Sequence, residues 1–481
     1  MPTTDAEVAA GYTDLMVACR NAGAVNVGAY IAAGAAIDAK NARGSTSLIV
    51  ASAQGATECV VLLLAANAAV NLTNTGGLTA LMAAAAGNHT SAVAALVAAG
   101  ADTEVTTSTG VTSLILAVQK GQSESVGALL EAGSATDATT ADGNTSLIFA
   151  CGSSHSTIVR QLCAARADVN ATTSADQSSG LMLACAKGDL ATVGALLAAS
   201  ADVHLQRKHG VTALQLAALK SHSEIAARLC KAGALAAVRN EEGLTAVLLA
   251  AGNSDTATVA ALLTASDMRA ALDAADEDGS TALMLASGRG DATTVSQLLS
   301  AGADVELSNL RGWTALMFAS QEYSGEAVGA LLSAGANVDA ASADGVTSLL
   351  IASAGGNTSA AAALIEHGAE VERSDQTGRR PLMLAAKGGS KECASLLLDA
   401  GASVDAAAPD GWRSAMFAEA RGDQVGSEML QMLRAMGAAE LSESESALAA
   451  GFSDAEAEQV LKAVADAPHK GGTLHTVAEE Q

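Results

Sequence analysis

The chain has 481 residues, 26 of them Lys or Arg and 51 Asp or Glu, for a formal net charge of −25. Half of the residues are apolar but only 2% are aromatic, which argues against disorder and favours shallow, alanine-lined packing over several deep cores. The acidity argues against nucleic acid as a partner, because phosphate binding needs a basic surface. The longest apolar runs are shorter than the ~20 residues that a bilayer requires, so we expect no membrane span.

The N-terminal residues carry no basic stretch ahead of an apolar core, so we predict no secretory signal. The seven cysteines, an odd number without a Cys-x-x-Cys pair, indicate a reducing compartment. We therefore predict an intracellular, cytoplasmic protein that is monomeric on its own.

A 33-residue repeat, anchored on a glycine, runs along the chain from Gly11 to about Ala439. Only two spacings between consecutive anchors differ: the one that ends at Gln177 is 34 residues, and the one that ends at Gly279 is 36 residues. The thirteen anchors are Gly11, Gly44, Gly77, Gly110, Gly143, Gln177, Gly210, Gly243, Gly279, Gly312, Gly345, Gly378 and Gly411. The extra residues before Gly279 predict a weaker joint in the array, because coupling between neighbours sets its cooperativity.

Each column of the repeat predicts a piece of local structure. Thr or Ser stands two places after the anchor in eleven copies and predicts a helix N-cap, while Ala at the seventh place lets helices approach closely. A later apolar pair such as Leu63-Leu64, followed in eight copies by Gly, predicts a second helix with a left-handed stop. Asn, Asp, Ser or Thr three places before the anchor predicts a type I turn at the tip of an extended finger.

The stretch Asp344-Gly345-Val346-Thr347-Ser348-Leu349 with Ala352 resembles the Thr-Pro-Leu-His-x-Ala signature of ankyrin repeats. Ala301-Gly302-Ala303-Asp304-Val305 is similar to the family's closing Gly-Ala-Asp-Val motif. The resemblance implies an all-α, ankyrin-type α-solenoid over residues 1–439, with fingers and first helices lining a concave face that binds proteins. The family's proline is replaced by Ala or Ser in nearly every copy, although Pro381 retains it.

Residues 440–481 form an acidic extension with nine acidic residues and two lysines. Ser442-x-x-Glu445 and Ser453-x-x-Glu456 are capping-box patterns, which predict one or two short helices. Val460, Leu461 and Val464 give the second of these a modest apolar stripe before Pro468. We expect residues 470–481 to be disordered.

Residues that suggest chemistry all fall on slots of the repeat. The seven cysteines occupy three slots that other copies fill with Ala, Leu and similar residues, so we interpret them as core packers. His89, His155 and His222 share a single slot between the two helices. No catalytic group stands apart from the repeat, and we predict no enzyme activity, no cofactor and no metal.

Basic residues are enriched on the predicted finger and inner-helix slots, which hold eleven of the 26 in the chain. We interpret this enrichment as a strip that steers an acidic partner segment. An alternative remains open for the five cations ten places after an anchor, because these could complement the dipole at the end of the first helix.

Trp313 and Trp412 follow their anchors directly, where we expect finger side chains to point towards a ligand. Trp, Tyr and Arg are the residues that most often anchor interfaces. The predicted partner-binding residues are Arg311, Trp313, Tyr323, Arg379, Lys387, Trp412, Arg413 and Arg421. The alternative is that each tryptophan covers only the adjacent turn.

We therefore predict a non-catalytic scaffold or adaptor that binds partner proteins on its concave face. The alternative is a structural or regulatory subunit of a stable assembly, docked through residues 440–481. The segment from Leu162 to Asn170 also resembles the Leu-x5-Asp-Val-Asn pattern that asparaginyl hydroxylases modify in some ankyrin proteins, so Asn170 is a candidate for modification.

Overall fold

A computed structural model describes residues 9–322 and 324–451. They form two compact units, unit 1 up to Lys220 and unit 2 from Ser221 onwards. The regular elements of the described residues are helices, with isolated β-bridges and one 3-10 turn at Lys208–Gly210, so the predicted all-α class is confirmed. The predicted second helix of the extension and the predicted disorder of residues 470–481 lie outside the described residues.

Unit 1 is built from helix pairs arranged in two layers. The odd-numbered, shorter helices pack on one another in chain order, and the even-numbered helices do the same beside them. These helices are α1 (Asp14–Arg20), α2 (Ala24–Ala32), α3 (Ser47–Ala53), α4 (Thr57–Ala65), α5 (Ala80–Ala86), α6 (Thr90–Ala98), α7 (Ser113–Gln119), α8 (Ser123–Glu131), α9 (Ser146–Gly152), α10 (Ser156–Ala164), α11 (Gly180–Lys187), α12 (Leu190–Ala198) and α13 (Ala213–Leu219).

Unit 2 repeats the same two-layer pattern. It begins with the second-type helix α14, and from α18 onwards the even-numbered helices are the first helices of their repeats. Its helices are α14 (Ser223–Lys231), α15 (Ala246–Gly252), α16 (Thr256–Leu262), α17 (Met268–Leu272), α18 (Ala282–Ser287), α19 (Ala292–Ser300), α20 (Ala315–Gln321), α21 (Gly325–Ser333), α22 (Ser348–Gly355), α23 (Thr358–Glu366), α24 (Pro381–Gly388), α25 (Lys391–Asp399), α26 (Ser414–Ala420), α27 (Gln424–Ala435) and α28 (Glu443–Ala450).

The Thr or Ser two places after the anchor caps the first helix of its repeat, as predicted. In all eleven copies that carry it, the Thr or Ser side chain accepts the N–H three residues ahead, as Thr46 does from Ile49. Such a cap contributes about 1 kcal/mol because it satisfies a donor that has no partner within the helix. In the two copies without this hydroxyl, the N-cap positions of the first helices are Arg380 and Arg413. Helix α24 has Pro381 at its first position, where no N–H is required.

The fingers are closed by the predicted turns and joined to one another. The Asn41 side chain accepts the N–H groups of Arg43 and Ser45 at 3.0 and 2.9 Å, and Gly44 takes a left-handed φ of 74°. The N–H of Thr75 on the next finger donates to the carbonyl of Arg43 at 3.0 Å. In the described fingers that make these bonds, each tip is held in place relative to the tip of the next repeat. This order exists before any partner binds.

Carboxylates and amides at a second periodic position join each finger to the following repeat. Asp137 Oδ1 accepts the N–H of Asp168 at 2.9 Å, and Asp339 Oδ1 accepts that of Glu370 at 3.0 Å. Asn170 takes the same place, its Oδ1 accepting the N–H of Asp202 at 2.8 Å. Part of the acidity of the chain is therefore structural, and the modification of Asn170 stays a prediction.

Gln177 occupies an anchor position that glycine fills in the other copies, and its φ of 62° is left-handed. An L-residue with a Cβ pays roughly 1–2 kcal/mol there, whereas glycine does not. We expect Gln177→Gly to raise the free energy of unfolding by about 1 kcal/mol, measured by chemical denaturation. Gly143→Ala, at an anchor with φ of 73°, is the matched control and should lower it. A stabilising Gly143→Ala variant would contradict the argument.

The extra residues before Gly279 are packed. They form α17, in which Met268, Ala271 and Leu272 are buried. The Asp267 carboxylate accepts the backbone N–H groups of Ala236 and Ala237 at 2.8 and 2.7 Å. The inserted residues thus bury apolar side chains and accept hydrogen bonds from the preceding finger. The predicted weakness of this joint stays a prediction.

Candidate protein-interaction surface

The tryptophans do not project from the fingers. Trp313 is 4% exposed and Trp412 6% exposed, so the expectation that their rings point towards a ligand is wrong. Each ring folds back onto the first helix of its own repeat, where Trp313 meets Phe318 at 5.4 Å between centroids and Trp412 meets Phe417 at 4.7 Å. Burial of the large apolar ring outweighs exposure at the tip. The ring contact is with the first helix, whereas the alternative left open by the sequence was that each tryptophan covers only the adjacent turn.

Arg379 and Lys387 also lie against this aromatic core. The Arg379 guanidinium is 4.9 Å from the centre of the Phe417 ring, and the Lys387 ammonium is 5.8 Å from it. Arg379 pairs with Asp410 at 2.9 Å, and both cations are buried. Burial, and then the charge of Arg379, lower the pKa of Lys387 to about 8. Both side chains therefore contribute to the packing between two repeats.

Arg413 and Arg421 are engaged in ion pairs. Arg413 joins Asp405 at 2.9 Å and Glu445 of α28 at 2.8 Å. Arg421 pairs with Asp423 at 2.8 Å. Bonds from the Ser442 backbone and hydroxyl, together with Arg413, lower the pKa of Glu445 to about 2.

Two of the five cations at the tenth place after an anchor, Lys187 and Arg421, make contacts within the protein. Lys187 Nζ donates to the carbonyl of Gly152, at the end of α9, and Arg421 Nη1 donates to that of Lys387 near the end of α24 at 2.6 Å. Each carbonyl belongs to the first helix of the preceding repeat, so these two cations complement the end of that helix, whereas the alternative left open by the sequence concerned the first helix of their own repeat. Some cations of the predicted basic strip therefore make contacts within the protein.

Of the predicted binding residues, Arg311 is the one that the described structure leaves exposed on a finger tip. Tyr323 lies outside the described residues. Beside Arg311 is Leu310, whose side chain is 80% exposed, more than any other large apolar side chain in the described part of unit 2. Sequence reasoning missed Leu310, although a signal was present: small or polar residues and one proline fill its slot in the other copies.

The backbone holds Leu310 and Arg311 on both sides. The N–H of Leu310 donates to the carbonyl of Asp278 at 3.0 Å, and the carbonyl of Arg311 accepts the N–H of Ala343 at 3.2 Å. The exposed tips here carry three carboxylates, one guanidinium and one leucine. We call this the finger-tip surface, defined as Glu277, Asp278, Leu310, Arg311 and Asp344.

The thiols are packing groups. All seven cysteines are free, and six are buried while Cys163 is half-buried. Burial raises the pKa of Cys19 to about 12 and that of Cys230 to about 11, so these thiols stay protonated near neutral pH. Within residues 9–322 and 324–451, no three His, Cys, Asp or Glu side chains are grouped to hold a metal, and no helix is long and apolar enough to cross a bilayer.

The repeat sequence, paired helices and linked fingers define a helical-repeat protein. The family model for ankyrin repeats matches residues 15–107, 96–173, 181–272, 266–342 and 320–408. The chain belongs to the ankyrin repeat family, whose repeats are generally protein–protein interaction modules. A comparison with curated proteins gave no match.

Proposed function

We propose that this chain is a non-catalytic, intracellular scaffold or adaptor, and that the finger-tip surface of unit 2 binds a partner protein. The observation that carries the proposal is Leu310, an apolar side chain 80% exposed on a turn that hydrogen bonds hold on both sides. A preordered anchor loses little conformational entropy on binding, so more of its burial energy is available to the complex. The family's repeats are generally protein–protein interaction modules, which supports a non-catalytic role.

The charge around Leu310 indicates the kind of partner. Its neighbours include Glu277, Asp278 and Asp344 against the single cation Arg311. The prediction of an acidic partner segment depended on cations such as Arg379, Lys387 and Arg421, which make internal contacts. We therefore propose a partner segment with an apolar side chain flanked by basic residues.

The test combines crosslinking mass spectrometry from the native cell, which identifies the partner, with capture by purified variants. We expect Leu310→Asp to weaken capture about tenfold or more, since burying a leucine is worth about 1.5–3 kcal/mol. Leu235→Asp is the matched control, because Leu235 is also exposed in unit 2 at 39% but lies off the tips. Equal capture by both variants would remove the finger-tip surface as the binding site.

Docking into an assembly through residues 440–481 has less support. The helix α28 already packs on α26, so this part of the extension is engaged within unit 2. Loss of capture on removing residues 452–481, with normal capture by Leu310→Asp, would favour that alternative.

A further inference from the structure

The helix α28 lies where the first helix of a further repeat would lie. It packs on α26 as α26 packs on α24. Its Ser446 hydroxyl donates to Glu419 of α26 at 3.1 Å, and Glu445 pairs with Arg413 at 2.8 Å. Its capping box at Ser442 and Glu445 is formed as the sequence predicts.

The residues before α28 reproduce the junction between repeats. The N–H of Ala439 donates to the Asp405 carboxylate at 3.0 Å. One repeat earlier, the N–H of Ser403 donates to the Glu372 carboxylate at 2.6 Å in the same arrangement. Residues 439–450 thus provide the entry and the first helix of a repeat, but the described structure ends before a second helix.

Apolar side chains are exposed at this end of unit 2. Met436, next to the end of α27, is 49% exposed, and Leu448 on α28 is 54% exposed. Second helices earlier in unit 2, such as α23 on α25, pack against the second helix of the next repeat. No second-type helix packs on α27 from the far side within the described residues, so the position next to it is open.

The sequence that follows carries the pattern of a second helix. In α25, the cap Ser390 is followed by Ala394, Leu397 and Leu398 at the fourth, seventh and eighth places, and Ala394 and Leu397 are buried. Counted from Ser453, the same places hold Ala457, Val460 and Leu461. Ser453 follows the cap of its first helix by eleven residues, against ten for Ser390. In the preceding repeat, a connection of nearly this length leads from α24 to α25, which pack on each other.

We propose that residues 453–467 dock on α27 and α28 as the second helix of an additional repeat and cover Met436 and Leu448. The occupant of this apolar surface is thus the chain itself. The acidic extension up to residue 467 then belongs to the repeat array, and its acidic side chains extend the charged surface of unit 2. The inference is independent of the finger-tip surface, so either proposal can fail alone.

The test measures alkylation of a cysteine introduced by Met436→Cys, read peptide by peptide because the native thiols are largely buried. In the full chain we expect slow labelling, with a rise of about tenfold or more in a chain ending at Gly451 and in a Val460→Asp, Leu461→Asp variant. Lys462→Asp is the matched control, since its slot corresponds to the exposed Asp399, and should leave labelling slow.

Equal labelling of the full chain and the shortened chain would overturn the proposal. Slow labelling that appears only at high protein concentration, together with a dimer in sedimentation, would also overturn it and make a second copy of the chain the occupant. Capture of a partner by the Leu310 surface should be unchanged in the shortened chain, which separates this result from the proposed function.

Discussion

Trp412→Ala is expected to lower the free energy of unfolding of unit 2 by about 3–4 kcal/mol, in the range found for large aromatic truncations in protein cores. The ring is 6% exposed and packs on Phe417, which is itself 1% exposed, so its loss opens a cavity against the first helix of that repeat. The measurement is chemical denaturation followed by the fluorescence of Trp313, the other tryptophan of the chain. Both tryptophans lie in unit 2, so the reporter follows the unit that is changed.

Two controls accompany this variant. Trp412→Phe keeps an aromatic ring on Phe417 and should cost about 1 kcal/mol. Leu310→Ala, at a side chain 80% exposed, should change the stability by less than about 0.5 kcal/mol. If Trp412→Ala unfolds at the same denaturant concentration as the original chain, the ring does not form the packing described. Weak partner capture by Trp412→Ala would in any case reflect lost stability.

Lys387→Met is expected to raise the free energy of unfolding by about 2 kcal/mol at pH 7, after allowing for partial screening by solvent. Burial beside Arg379 lowers the pKa of Lys387 from 10.5 to about 8 in the folded protein. Below pH 8 the lysine is protonated in both states, and the folded state bears the full cost of the buried charge. Methionine has similar length and no charge, so it fills the place against Phe417 without that cost.

The pH dependence has a definite sign. Between about pH 8 and 10.5 the unfolded chain still binds the proton that the folded Lys387 has released, so the original protein gains stability as the pH rises. The advantage of Lys387→Met should therefore shrink through that range. Denaturation curves of both proteins from pH 6 to 11 measure the difference, and Lys231→Met, at an exposed lysine of unit 2, should show no such trend. A constant advantage at every pH would contradict the assignment.

The site was less predictable than the helices. The internal contacts of Arg379 and Lys387 depend on Phe417, which lies 38 and 30 residues further along the chain. The position of a residue in the repeat indicates the face of the helix or finger on which it lies. It does not indicate which long side chain of the next repeat the residue contacts. For Trp313 and Trp412 a local signal existed, because both repeats also carry a phenylalanine five residues later.

The sequence by itself determined the repeat, the caps, the turns and hence the ankyrin family, because each depends on residues within a few positions of one another. Thr46 and Ile49, or Asn41 and Ser45, are bonded wherever the backbone takes up that local conformation. Only the tertiary structure decided that the tryptophans, Arg379 and Lys387 are buried, that Arg413 and Arg421 are held in ion pairs, and that Leu310 is exposed. Those outcomes depend on which side chains pack together within a repeat and between adjacent repeats. The spacing of residues along the chain does not predict this packing.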